Sequence, residues 1–339
     1  MPPLLFMEIQ MVQAVWDLDF VKYAVASKGE KRSIKAYHPI TGDEFCCATR
    51  TELWGHYLKK NKGLLAEFNL KNGTEYNAED LVVIDIQEPE PFSLVSNAVD
   101  GVFSKIMYQL KTKNYSAYIG EGKSFRVERS TVLEYKGQRK DTLKPIHLEE
   151  VSNYLIKKYR PEVVTYYEAD DRVVMDAYRD KGKCVVGVDK DYFGCDVLFF
   201  NANQVEKGIQ NCSGLGSLSL NSKGEVKGIG RLFFYHQILS GDSSDQYKAN
   251  SANPEFEWGD KSSYKLLKDC KTDKEALEAI KQGYQLIYPE TKTITGWKGG
   301  EIEVDWKYMF NENFDLARMI RWEGDVVVGT DVMRSLNVL

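Results

Sequence analysis

Carboxylates gather at five points of the sequence, each just after a run of apolar residues. Such a run followed by acids is typical of a buried strand or helix that ends at a polar edge. One carboxylate there is commonplace and usually caps a helix, but several close together would repel one another and raise each other's pKa. The acids concerned are Asp17, Glu121, Glu168, Asp170, Asp171, Asp189, Asp191, Asp242 and Asp245.

A divalent cation would relieve this repulsion. Ligand sets made only of oxygen favour Mg²⁺ or Mn²⁺ over zinc, and the four histidines are too scattered for a zinc site. More than four carboxylates indicate two ions roughly 3.5–4 Å apart, the arrangement used for in-line phosphodiester hydrolysis. We therefore predict a site for two Mg²⁺ ions, for which Mn²⁺ can substitute.

Each acidic group also has a simpler interpretation. Asp170 and Asp171 could only complement a helix dipole, residues 242–245 could hold a helix N-cap and a first-turn acid, and residues 189–191 could form a solvated turn. Taken jointly, in chain order and at one sheet edge, the groups favour the metal site.

Alternating strands and helices must position these acids. The alternation between residues 115 and 200 predicts an α/β fold with a mostly parallel central sheet flanked by helices. Such sheets bind ligands at the carboxyl ends of their strands. The predicted strands are 12–16, 116–119, 162–167 and 184–188, and the predicted helices are 96–111, 145–158 and 170–181.

Length, composition and the remaining segments limit the number of domains and the class of protein. It has 339 residues, 43% of them hydrophobic, which is room for one large or two ordinary domains. Six cysteines without a CxxC pair are typical of a cytoplasmic protein, and residues 1–15 are predicted to be neither a signal peptide nor a membrane span. Residues 28–95 predict a hairpin with a turn at 40–43, a helix from about 51 and a strand at 81–86, without a functional role.

Three motifs carry a resemblance to a known family. Tyr167-Glu-Ala-Asp-Asp171, Val188-Asp-Lys-Asp-Tyr192 and Leu239-Ser-Gly-Asp-Ser-Ser-Asp245 resemble the flap endonuclease and 5′-nuclease superfamily. Upstream, Val15-Trp-Asp-Leu-Asp-Phe20 looks closest to the 5′→3′ exonucleases of phages. The resemblance implies a PIN-like 5′-nuclease core in which Asp17 is the first metal ligand.

The resemblance also implies a DNA-binding arch and lobe. Residues 119–126 and 134–139 resemble the stretch with the second acid, a phosphate-binding Arg and the Tyr-Lys-x-x-Arg of a helical arch, with Glu121 where the family generally has Asp. Residues 256–267 resemble a helix-three-turn-helix whose Gly-x-Gly is reduced to Gly259. The implied domains are a nuclease core over 12–240, with the arch at about 122–145 and 28–95 as an unmatched insertion, and a helix-three-turn-helix and C-terminal helical region over 241–339.

Charge is distributed in a way that suits DNA. The whole chain has a net charge of -5, but residues 123–144 hold seven basic and three acidic side chains, a net of +4. Such a segment is expected to follow phosphates, and Tyr135 within it could stack on a displaced base. The predicted DNA contacts are Lys123, Arg126, Tyr135, Lys140, Gly259 and Lys261.

The predicted function is a metal-dependent 5′→3′ exonuclease or flap endonuclease acting on DNA with 5′ ends or flaps, with RNA/DNA hybrids left open and no membrane partner. One ion is assigned to Asp17, Glu121, Glu168 and Asp170, and the other to Asp189, Asp191, Asp242 and Asp245. The resemblance implies that Lys136 and Arg139 are catalytic and stabilise the transition state.

Two alternatives remain open. Asp17-Leu-Asp19 with a late Gly-Asp-x-x-Asp mimics a haloacid dehalogenase-type phosphatase, and a non-catalytic DNA-binding protein could keep the same fold. Because like charges repel, the metal-free protein is expected to tolerate Asp171→Asn or Asp189→Asn without loss of stability.

Overall fold

The computed structural model describes residues 12–55 and 62–339. Most of the segment predicted to be neither signal peptide nor membrane span, residues 1–15, therefore lies outside the described residues. The described chain forms two compact units. The first, here called the sheet unit, comprises residues 12–21, Phe103–Leu143 and Leu155–Leu339, and the second comprises Lys22–Val102 and Lys144–Tyr154.

A six-stranded sheet is the centre of the sheet unit. Its strand order is β6-β5-β1-β7-β8-β9, and all neighbours are parallel except the edge pair β8 and β9. This confirms the predicted α/β fold with a mostly parallel sheet. The strands are β1 (Gln13–Asp17), β5 (Tyr115–Gly120), β6 (Glu162–Val164), β7 (Lys183–Gly187), β8 (Leu198–Asn201) and β9 (Ile209–Asn211), numbered along the chain.

The sheet is apolar on both faces, as parallel strands covered by helices must be. Helix α7 (Ala169–Arg179) buries Val173 against Val15 of β1. On the opposite face the Trp16 ring stacks on Phe103, with ring centroids 4.4 Å apart. Phe103 belongs to α4 (Phe92–Gln109), and α6 (Leu148–Tyr159) also ends beside it. These three helices correspond to the predicted ones within a few residues.

The segment predicted as a helical arch, residues 122–145, holds only short helical pieces. Helix α5 spans Phe125–Arg129, and a single 3₁₀ turn spans Gly137–Arg139. A continuous helix is excluded because Lys136 has a left-handed φ of 56° immediately before that turn. The expectation of a helical arch is thus corrected to two short elements joined by bends and turns.

Helices dominate the sheet unit after β9. Trp258 Nε1 donates to Leu239 O at 2.7 Å and Tyr284 Oη donates to Ile238 O at 2.7 Å, which fixes α8 against its neighbours. The predicted helix-three-turn-helix segment contains α9, and the division of the chain at residue 240 stays a prediction. The elements are β10 (Ser217–Leu220), β11 (Val226–Ile229), α8 (Arg231–Ser240), α9 (Asp260–Leu267), α10 (Asp273–Ile287), β12 (Lys292–Thr295), β13 (Glu301–Val304), α11 (Trp306–Ala317) and α12 (Gly329–Ser335).

The second unit contains a three-stranded antiparallel sheet in the order β3-β2-β4. Strands β2 and β3 form the predicted hairpin around residues 40–43, and the strand predicted at 81–86 is β4. The helix predicted from residue 51 is the short α2, which ends at Trp54 because Gly55 caps it with a left-handed φ of 82° and donates its N–H to Thr51 O. The elements are α1 (Asp19–Lys28), β2 (Glu30–Tyr37), β3 (Glu44–Cys47), α2 (Arg50–Trp54), α3 (Leu64–Asn72) and β4 (Val82–Pro89).

No helix among the described residues is both long enough and apolar enough to cross a membrane.

Candidate metal and nucleic-acid site

The acids singled out in the sequence all belong to the sheet unit. Asp17 is the last residue of β1, Glu168 is the N-cap of α7 shortly after β6, and Asp189 follows β7 by two residues. Because these strands are parallel, their carboxyl ends lie at the same edge of the sheet. Asp242 and Asp245 follow the C-terminal end of α8.

A buried arginine contacts the acidic turn that follows β6, residues 168–171. Arg126 is only 2% exposed, and its guanidinium donates to Glu168 Oε2 at 2.9 Å and to both oxygens of Asp171 at 2.7 and 2.8 Å. It also donates to the backbone carbonyls of Leu316 and Arg318, at 3.1 and 2.8 Å. With its donors used inside the protein, Arg126 cannot reach a DNA phosphate. Its prediction as a DNA contact is wrong, because the guanidinium neutralises buried acids instead.

Asp171 is the main partner of that arginine. It is fully buried and also accepts from the backbone N–H of Glu168, at 3.2 Å, and of Ile320, at 2.9 Å. A metal ion would have to compete with a guanidinium for its oxygens. The geometry also reverses the expectation that Asp171→Asn is harmless, because the substitution removes the bidentate partner of a buried cation.

Glu168 connects the buried arginine to the predicted catalytic lysine. Its Oε1 forms an ion pair with Lys136 Nζ, and its Oε2 accepts from Tyr135 Oη at 3.0 Å. Burial alone would lower the pKa of Lys136, but Glu168 and Asp245 raise it above its ordinary value. Tyr135 is 3% exposed, so the prediction that it stacks on a displaced base is wrong. Its hydroxyl bridges Glu168 and Asp245 instead.

The loop after α8 is also charge-paired. Arg139 Nη2 donates to Asp245 Oδ1 at 2.8 Å, and Lys190 Nζ lies 2.8 Å from Asp242 Oδ2. Burial alone would raise the pKa of Asp242, but the Lys190 ammonium and the backbone N–H of Ser244 lower it. Lys136 and Arg139 therefore meet at Asp245, where Lys136 Nζ is 3.9 Å from Oδ1.

Three acids at the same edge have no such partner. Within residues 12–55 and 62–339, no lysine or arginine forms an ion pair with Asp17, Asp170 or Asp191. Burial, followed by the charge of Asp19, raises the pKa of Asp17 to about 7. Burial and neighbouring carboxylates likewise hold the pKa values of Asp170 and Asp191 well above their ordinary range. We call Asp17, Asp170 and Asp191 the unpaired acids.

The donor set fits a hard divalent cation. Glu168, Asp170 and Asp171 bring carboxylate oxygens within 4.8 Å of one another, and the unpaired acids add negative charge that the protein does not neutralise. Oxygen-only sites of this kind suit Mg²⁺ or Mn²⁺. Glu121 is exposed and is not part of the group of three, and the division of the acids between two ions stays a prediction.

The remaining predicted DNA contacts are on the surface. Lys123, Lys140 and Lys261 are exposed, and Lys140 pairs with Glu134 at 2.7 Å. Gly259 is the N-cap of α9, and a Cβ added there would meet nothing within 4 Å. The chain around Gly259 is thus open, and Lys261 lies in the first turn of α9.

Sequence reasoning missed several residues of the site. Lys190 was not among the predicted site residues, yet it pairs with Asp242. Gln237 donates to Asp191 Oδ1, and Tyr192 Oη donates to Asp17 Oδ2 at 3.2 Å. The adjacency of Lys190 and Tyr192 to Asp191 was a usable signal, whereas nothing in the pattern of α8 singled out Gln237.

A comparison with solved structures finds similarity to nucleases of bacteriophage T5. A structure of the T5 5′-exonuclease with bound zinc is 16% identical, with a TM-score of 0.37, and the match covers 74% of this chain and 82% of that one. The T5 D15 protein co-crystallised with metal ions is 15% identical, with a TM-score of 0.36 and coverage of 58% and 79%.

A T5 flap endonuclease complex with DNA and metal ions is 14% identical, with a TM-score of 0.35 and coverage of 57% and 77%. No protein-family model and no curated protein matches the chain. The resemblance predicted from the motifs is therefore found among solved structures, at low identity, and the activity of this chain has to be argued from its own residues.

Proposed function

We propose that the protein is a divalent-metal-dependent nuclease that hydrolyses DNA phosphodiesters at 5′ ends or 5′ flaps. The observation that carries the proposal is the coexistence, at one sheet edge, of unpaired acids with Lys136 and Arg139. Acids alone would repel a phosphate, and cations alone would only bind it. Together they provide for a metal ion and for the developing charge on a phosphodiester.

The residues best suited to hold divalent ions are the unpaired acids and Asp189. The predicted ligand set also includes Glu121, Glu168, Asp242 and Asp245. Two such ions, when bound, would activate water and stabilise the leaving oxygen. The protein's own contribution is to hold carboxylates close together despite their repulsion, which the buried Arg126 makes possible beneath Glu168.

Lys136 and Arg139 are the proposed catalytic side chains. Both are held by acids of the site, and the raised pKa of Lys136 keeps its ammonium charged at neutral pH. A phosphate that enters the edge would meet both cations, and their positive charge would stabilise its transition state. Lys123, Lys140 and Lys261 would hold more distant phosphates of the same substrate.

Matched alanine variants test this assignment. Lys136→Ala should lose turnover by about 10²-fold, on the order of 3 kcal/mol of transition-state stabilisation, with a small change in affinity. Lys261→Ala should weaken binding to all duplexes and reduce the salt dependence by about one unit while turnover is kept. The measurement is single-turnover cleavage of 5′- and 3′-labelled duplex, flap and RNA/DNA substrates in Mg²⁺, beside equilibrium binding in Ca²⁺.

The same assay separates the alternatives. Equal profiles for the two variants, with affinity lost and turnover intact, would reduce Lys136 to an electrostatic tether. Binding without cleavage in Mg²⁺ or Mn²⁺ would establish a non-catalytic DNA-binding protein.

A phosphatase of the haloacid dehalogenase type needs an accessible nucleophile, but Asp17 is 6% exposed and accepts from Asp19 N and Tyr192 Oη. Abolished activity in Asp19→Asn would favour that phosphatase nonetheless.

A further inference from the structure

Two segments of the sheet unit that carry charged residues of the site are joined by hydrogen bonds. We call residues 136–139 the basic turn and residues 243–246 the serine loop. Arg139 Nε donates to Ser244 O at 3.1 Å, in addition to the ion pair between Arg139 and Asp245. The side chain of Arg139 is 52% exposed, so hydrogen bonds rather than packing must hold its guanidinium in place.

Gln138 fixes the carbonyl group that Arg139 uses. Its Nε2 donates to Ser243 O at 2.9 Å and to Ser244 O at 2.7 Å. The side-chain amide has two N–H donors, one for each carbonyl, whereas a reversed amide would bring three acceptor oxygens together. Ser244 O therefore accepts from both Gln138 and Arg139, and the glutamine holds in place the oxygen that orients the guanidinium.

Gln246 completes the contact from the serine loop. Its Oε1 accepts from the backbone N–H of Gln138 at 2.8 Å. The neighbouring Gly137 lies so close that a Cβ added to it would be 3.0 Å from the same oxygen. The absence of a side chain at residue 137 thus allows the basic turn to approach the serine loop closely enough for these bonds.

The backbone is strained on both sides of this contact. Lys136 has a φ of 56° and Gln246 a φ of 62°, in the left-handed region that residues other than glycine occupy rarely. They are two of the five such residues in the described chain. Strain of this kind persists only where the surrounding structure enforces it, and it is concentrated at functional sites. The contact is therefore maintained against a backbone preference in both segments.

With the proposed nuclease function as its premise, we propose that Gln138 is a positioning residue for Arg139 and that Gln246 supports it. Gln138 directs its amide to backbone carbonyls and acts on the reaction through the arginine. Its effect should therefore appear in turnover, because a misplaced catalytic group loses transition-state stabilisation. Affinity should be kept, because Lys123 and Lys261, which would hold distant phosphates, lie outside the basic turn.

Two variants of the full chain test the proposal. Gln138→Ala removes the side-chain amide, and Gln246→Asn shortens the acceptor while an asparagine tolerates the left-handed backbone. Gln285→Ala, at an exposed glutamine of α10, is the matched control. The measurements are single-turnover cleavage of a 5′-labelled flap in Mg²⁺ and equilibrium binding in Ca²⁺. Hydrogen exchange of residues 136–140 and the melting temperature provide readouts that do not depend on activity.

Both variants should lose turnover by about tenfold and keep their affinity within about twofold. Exchange in the basic turn should become faster while the melting temperature stays that of the control. In an Arg139→Ala background, Gln138→Ala should cost almost nothing more, because residues that act through one group are not additive.

Wild-type turnover in Gln138→Ala, or an equal loss in the Arg139→Ala background, would overturn the positioning role while the proposed function stands. The same holds for faster exchange without slower turnover, and for a loss confined to affinity. A wild-type protein that cleaves none of the DNA substrates would instead overturn the proposed function, and the positioning role with it.

Discussion

The turns after β6 and after β7 bring acids to the same edge of the sheet but balance their charge differently. After β6, Glu168 and Asp171 are paired with Arg126 and Lys136. After β7, the cation within the turn, Lys190, reaches away to Asp242 and leaves Asp191 without a cationic partner. The same residue type therefore serves two purposes. The acids matched by the protein's own cations stabilise the turns, and the unmatched acids, Asp170 after β6 and Asp191 after β7, carry negative charge that a metal ion could neutralise.

The largest expected change in stability comes from a substitution in the turn after β6. In EDTA, Asp171→Asn should lower the free energy of unfolding by about 3–5 kcal/mol, because the amide cannot pair bidentately with the buried Arg126. Asp191→Asn is the matched control, since it keeps an oxygen for Gln237 and removes a repelling charge, and it should be neutral or stabilising. Urea unfolding of both variants measures this, and equal midpoints for Asp171→Asn and the wild type would erase the difference between the two turns.

A metal titration tests whether the unpaired acid after β7 contributes to binding of a divalent ion. Mg²⁺ at 100 times its Kd should stabilise the wild type by about 2.7 kcal/mol, because an ion that binds only the folded state shifts the unfolding equilibrium. Asp191→Asn should lose most of this gain, while a distant charge change such as Lys261→Ala should keep it. Thermal unfolding with Mg²⁺ and with EDTA gives the answer. A Mg²⁺ effect of the same size in Asp191→Asn would show that the unpaired acids do not bind the ion.

The last prediction concerns the pH range over which the stability of the two turns can be compared. Burial lowers the pKa of His236 to about 4, so the unfolded state binds a proton first as the pH falls below about 6.5. Stability from this residue is therefore complete above pH 6.5 and is lost towards pH 4, by up to about 1.4 kcal/mol per pH unit. His236→Gln should show a flatter stability curve over that interval in urea unfolding. Parallel curves for the two proteins would mean that another group dominates.

The sequence predicted the ends of β1, β5 and β7 to within one residue, placed the end of β6 three residues too late, and predicted the charge partners poorly. Apolar runs followed by acids located β1, β5, β6 and β7 because a buried parallel strand leaves a continuous apolar signature. The roles of Arg126 and Tyr135 were mistaken because a basic or aromatic residue in a charged segment looks the same whether its side chain points out or in. Arg126 is buried by contacts with residues 316–318, about 190 positions away, and no local pattern reports a contact of that range.

The buried Arg126 also has a consequence for the order in which the protein acquires its properties during synthesis. Leu316 lies 190 residues after Arg126, which a ribosome adding roughly 5–20 residues per second reaches roughly 10–40 s later. Until residues 316–320 have left the exit tunnel, neither Arg126 nor Asp171 has its full set of partners, and Glu168 is held less firmly. The acidic turn is thus completed late, so a nascent chain that has already made every acid of the site would still lack the means to hold them in place.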